Sequence, residues 1–171
     1  MVATRLGYSC TIVSFLALVL MAFSIGAAER VLRPFLPTYL AGAALLHRSY
    51  DGLGCATGLF AFDAGTLAID PSDAALALER LNLLQQQEID QGQGPAAQLD
   101  QWEPSRGFAD MSALSASAGK ALDCLGRGSA ELETLHRRIG DGDHGFVAAS
   151  GQYFVLMIPS ENLLLLKLHR N

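Results

Sequence analysis

Two carboxylates and an imidazole are crowded into the run Gly140-Asp141-Gly142-Asp143-His144-Gly145. Carboxylate oxygens are hard donors, and a small divalent cation such as magnesium is held by oxygen in preference to nitrogen or sulfur. The interleaved glycines accept positive φ without a steric penalty, so Asp141 and Asp143 are able to fold toward one point. The same composition also suits a plain polar turn after a helix, because Gly and Asp are common turn residues.

The flanking elements determine how such a run is presented. Residues Ala130 to Ile139 read as a helix, with Leu132, Leu135 and Ile139 at three- and four-residue steps on one face. Ser129 is placed to cap it, and Glu131 and Glu133 lie in the first turn, where the helix dipole favours anions. Arg137 and Arg138 occupy the last turn, and Gly140 suits the residue just past the helix end. Before it, Met111 to Leu125 has the spacing of an amphipathic helix. After it, Phe146 to Ile158 is apolar enough for a buried helix or a strand.

Residues 108–155 resemble the nucleotide-binding domain of dihydroxyacetone kinases of the L-subunit type. The resemblance rests on all six positions from Gly140 to Gly145, on Leu135 in the preceding helix, and on Gly151 beyond the loop. It implies an antiparallel helix barrel that binds ATP or ADP through Mg2+ and transfers a phosphoryl group to a small hydroxyketone. Asp141 and Asp143 would be metal ligands. His136 stands where the family has its first liganding aspartate, and an imidazole there suits zinc or another transition metal better than magnesium. His144, Gly145, Phe146 and Val147 would border the phosphates, with a helix after Gly145 adding its N–H groups to the anion. Only 26 residues follow Gly145, so the resemblance implies an incomplete barrel, not competent alone and completed by a partner chain.

The N-terminal part has a different character. Leu6 to Ala28 is free of charge and ends in small residues, which suits a signal peptide cleaved after Ala28 or an uncleaved membrane anchor. If it were instead a buried helix, the protein would be cytoplasmic. Phe35 to Leu46 and Gly52 to Ile69 are again apolar, and Gly54 and Gly58 have the spacing of closely packed membrane helices. Asp63 would be a functional candidate within such a segment. From Pro71 onward, Ser72 or Asp73 can cap a helix from Ala74 to about Gln87, with Leu76, Leu83 and Leu84 on its apolar side. Residues 85–107 read as a linker in which Trp102 docks onto a neighbour.

The expected organisation is therefore a leader over 1–28, an apolar helical region over 29–84, a linker over 85–107 and a partial kinase-type domain over 108–171. The expected fold class is mainly α, a hydrophobic N-terminal helix followed by an incomplete antiparallel helix barrel. A net charge of −5 without a basic stripe argues against nucleic acid as a partner. Cys55 and Cys124 would remain after loss of Cys10 with the leader, and could pair in an oxidising compartment. Two functions stay open: a partial magnesium-nucleotide domain, or a small membrane-anchored or exported helical protein without catalytic activity.

Overall fold

Residues 153–158 and 163–168 are apolar at nearly every position, and a strand of that kind needs cover on both of its faces. The computed structural model, which describes residues 29–50, 56–92, 94–105, 111–126, 128–140 and 145–168, supplies that cover. Its strands are β1 (Ala44–Tyr50), β2 (Ala56–Ala61), β3 (Glu103–Pro104), β4 (Phe146–Ala149), β5 (Tyr153–Ile158) and β6 (Leu163–Leu168). Its longer helices are α1 (Ala74–Asp90), α2 (Met111–Leu125) and α3 (Ala130–Gly140). The strands form one sheet in the order β1-β2-β6-β5-β4-β3, with every pair antiparallel.

The Leu163–Leu166 run splits between two cores by strand alternation. Leu164 and Leu166 join Phe60, Tyr153, Val155 and Met157 on the face covered by α1 and the 29–43 segment. Leu163 and Leu165 join Leu59, Phe154, Leu156 and Ile158 on the face covered by α2 and α3. The result is a three-layer sandwich around an antiparallel sheet.

The protein is thus not mainly α, and no helix barrel is formed. Phe146 to Ile158, where the resemblance implied a helix, is the hairpin of β4 and β5. Its aromatic and β-branched residues favour an extended backbone. Between the strands, Ser150 Oγ accepts from the N–H groups of Gln152 and Tyr153, each at 3.1 Å, and so sets the turn. Periodicity cannot separate a short buried strand from a buried helix, which is why both readings fitted the sequence.

The expected membrane segments are corrected as well. Among the described residues no helix is long and apolar enough to cross a membrane. Phe35 to Leu46 holds short 3-10 turns and the start of β1, and the described part of Gly52 to Ile69 holds β2 and a turn. Leu6 to Ala28 lies outside the described residues.

α1 begins where expected, with Asp73 accepting from the N–H groups of Ala75 and Leu76 at 3.0 and 3.1 Å. Its inward face is only in part the expected one, with Leu84 packed partly buried against the core. Leu76 and Leu83 are exposed, whereas Ala77, Leu81, Gln85 and Glu88 are buried. The polar pair is retained because each side chain finds partners. Gln85 Nε2 donates to the carbonyls of Leu99 and Asp100, and Glu88 Oε2 accepts from Thr38 N at 2.7 Å and Thr38 Oγ1 at 2.8 Å. These bonds fasten residues 94–105 and the 29–43 segment to the helix. Trp102 docks as expected, with Nε1 donating to Tyr39 Oη at 2.9 Å. Burial raises the Tyr39 pKa above its ordinary value, and burial aided by the Glu88 charge pushes Tyr153 up to about 12.

Gly94 is required in this seam. Its φ is +73°, and a Cβ there would sit 1.9 Å from Glu88 Oε1. Gly92 shares the positive φ but has open space around it. Gly94→Ala should therefore lower unfolding stability by more than Gly92→Ala, and by more than about 1 kcal/mol. Urea denaturation of the two variants measures the difference, and equal losses would remove the role given to Glu88.

Candidate functional site

α3 carries the chain toward the acidic run. Ser129 Oγ accepts from Leu132 N–H at 3.2 Å, so the expected cap is in place. Leu132 and Leu135 are buried against the sheet, with Ile139 partly buried beside them. Arg138 donates through Nε, at 2.8 Å, and through Nη2 to Glu161 Oε1, tying the C-terminal end of α3 to the β5–β6 turn. Asp141, Asp143 and His144 follow, and all three lie outside the described residues. Among the described residues no group of three His, Cys, Asp or Glu side chains gathers for a metal.

His136 is described. It is half-buried on α3, and its Nε2 atom is buried without a hydrogen-bond partner. Burying an imidazole nitrogen without a partner is unfavourable, and most such groups are satisfied. A metal ion bound through that nitrogen, or a proton donor on it, would remove the cost.

The remaining site residues of the resemblance are placed in the sheet. Gly145 is buried, and its backbone brackets Ser105: Ser105 N–H donates to the Gly145 carbonyl at 2.8 Å, and Gly145 N–H donates to Ser105 Oγ at 3.1 Å. A Cβ at Gly145 would lie 2.6 Å from the Met157 carbonyl, so only glycine allows this approach. Phe146 pairs with Met157 and Pro104 and enters one core, while Val147 enters the other. Beside them opens a cleft of about 80 Å³ between Pro71, Ser105, Gly145, Phe146 and Pro159. A pocket for a drug-sized ligand is typically about 300 Å³ or more. The cleft has room for a few waters or a small ion.

A second polar cluster lies at the start of α3, where Ser129 Oγ is 2.8 Å from His47 Nε2 and Glu131 Oε2 is 3.6 Å from the same nitrogen. The residue types are those of a Ser-His-acid triad, but the geometry is not. In a triad the carboxylate holds Nδ1–H and leaves Nε2 free to take the serine proton. Here the serine and the carboxylate share Nε2. The Glu131 carboxyl is held below its ordinary value by its own backbone N–H, then by Ser129 and His47. The cluster caps a helix and pins β1 to it.

Asp63, a candidate only within a membrane, is an exposed turn residue. Its carboxylate accepts from Gly65 N–H at 2.9 Å and from Thr66 Oγ1 at 2.8 Å, with Thr66 first in lowering its pKa. Sequence reasoning missed Ser105 and His47. Ser105 carries no local signal, because its partner is forty residues away. His47 sits in a strand whose helix partner is set only by the fold.

No protein-family model matches the chain, and neither a curated protein nor a solved structure matches it.

Ser129→Ala should cost about 1 kcal/mol of stability, as loss of a helix cap does. Thermal unfolding measures this. Stability equal to that of the unmodified protein would show that the cap contributes nothing.

Proposed function

We propose that this protein is an exported, disulfide-stapled domain and not a phosphotransferase. The observation that carries the reading is the state of Cys124, which is disulfide-bonded to a partner outside the described residues. Disulfides form and persist in oxidising compartments. The uncharged stretch from Leu6 to Ala28, with its small-residue end, has the composition of an export signal. The non-kinase part is supported by the commitment of Gly145, Phe146 and Val147 to strand pairing and core packing.

Fractionation of cells expressing the full chain, with thiol alkylation before and after reduction, tests the export reading. The expected result is a shortened chain outside the cytoplasm whose Cys124 reacts only after reduction. A full-length cytosolic chain with a freely reactive Cys124 would overturn it. Calorimetric titration with Mg-ADP tests the other half. Binding by the unmodified protein that disappears in Asp141→Ala/Asp143→Ala would restore the magnesium-nucleotide reading.

A second reading rests on the partnerless Nε2 of His136. In it, His136 joins Asp141 and Asp143 around a divalent cation, with zinc suited to the imidazole. Titration with zinc and with magnesium, each compared with His136→Asn, decides it. Zinc affinity that His136→Asn leaves unchanged would sink this reading.

A further inference from the structure

A cleft opens between residues 39–43 and the turn that follows β2. Its volume is about 130 Å³, several times the roughly 15 Å³ that a single water needs. Tyr39, Leu40, Phe62, Asp63, Thr66 and Leu67 are among its lining residues. Leu40, Phe62 and Leu67 are buried and give it an apolar floor. Asp63 is the one charged side chain on its wall, because burial raises the Tyr39 pKa and leaves that phenol neutral at physiological pH.

The Asp63 carboxylate is fixed and still has acceptor capacity. Oδ1 accepts from Gly65 N–H at 2.9 Å and Oδ2 from Thr66 Oγ1 at 2.8 Å. An ionised carboxylate offers about four lone-pair sites, so about two remain. Among the described residues no cationic side chain is paired with it. Arg33 and Arg80, which serve the same two segments, are committed elsewhere. Arg33 pairs with Glu29 and donates from Nη1 to the Ala41 carbonyl at 2.6 Å, and Arg80 Nε donates to the Leu67 carbonyl at 2.9 Å. The wall itself is clamped: Asn162 accepts from Phe62 N–H through its carbonyl at 3.0 Å and from Ala64 N–H through Oδ1 at 3.1 Å. Among the described residues only Ala68 and Asn162 have positive φ without being glycine, both at +54°, and both belong to this turn or its clamp. Such residues store strain and cluster at ligand clamps.

We propose that this cleft binds a small primary alkylammonium ion, with its nitrogen at Asp63 and its alkyl part against Leu40, Phe62 and Leu67. The site is independent of the acidic run and of the export reading. A calcium ion takes about six to eight oxygen ligands, and the side chains of this wall offer one carboxylate and one aliphatic hydroxyl. An ammonium needs only a few acceptors, and the open sites on the carboxylate supply them. The alkyl part then covers the apolar floor, and the aromatic rings of Tyr39 and Phe62 favour a cation beside them.

Proton NMR of the full chain, titrated with propylammonium chloride and separately with propanol, tests this. Propylammonium should shift the ring signals of Tyr39 and Phe62 saturably, and propanol, its neutral counterpart, should shift them far less. Asp63→Asn removes the charge but keeps an oxygen for Gly65 N–H, since asparagine closes the same kind of turn. It should weaken propylammonium binding severalfold. Asp70 is the matched control, an exposed turn carboxylate outside the cleft that accepts from Ser72 N–H at 2.8 Å and Ser72 Oγ at 2.6 Å. Asp70→Asn should leave the affinity unchanged. Circular dichroism checks that both variants are folded. If Asp63→Asn is not, the comparison of propylammonium with propanol on the unmodified protein decides. The absence of a saturable shift, an equal response to propanol, or equal losses in the two variants would each overturn the proposal. So would an unchanged affinity in folded Asp63→Asn.

Discussion

Two-sided burial of β5 and β6 is the constraint on which the rest of the structure depends. These strands have no polar face, so neither can lie on a solvent-facing sheet. Each needs a layer above and a layer below, and the chain provides them from opposite sides of the sequence. The 29–43 segment, α1 and residues 94–102 form one layer. α2 and α3 form the other. β1 and β2 extend the sheet on one side, and β4 with the short β3 extends it on the other.

That arrangement sets what the polar groups do. On the α1 side, buried Glu88, Gln85 and Trp102 are bonded to exposed Thr38, to partly buried Tyr39 or to backbone, so the layer is joined as well as packed. Pairing of this kind offsets the desolvation cost of each group and fixes the register of the segments that carry it. On the α2–α3 side the polar groups are fewer and less satisfied. Among the described residues His136 Nε2 and Thr57 Oγ1 have no hydrogen-bond partner.

The packing also changes what the Gly140–Gly145 resemblance can mean. A phosphate-binding loop needs its downstream backbone free to meet the ligand. Here the backbone of Gly145 is committed to Ser105, and the side chains of Phe146 and Val147 fill two cores.

Local signals were readable wherever neighbours in sequence are neighbours in space. The helices Met111–Leu125 and Ala130–Gly140 and the Ser129 and Asp73 caps all follow from such signals, since caps and helical faces are set within one or two turns. The class of Phe146–Ile158 was not readable, because a short apolar run satisfies a buried helix and a two-sided strand equally. Nor was the inward face of α1, where Gln85 and Glu88 displace Leu76 and Leu83 because their partners come from residues 38, 99 and 100. The sequence alone determined that Lys167 stands in a leucine run and that the chain has one other lysine. Only the tertiary structure decided that Lys167 lies opposite Thr57 and Phe154, because sheet pairing joins strands that are far apart in the sequence.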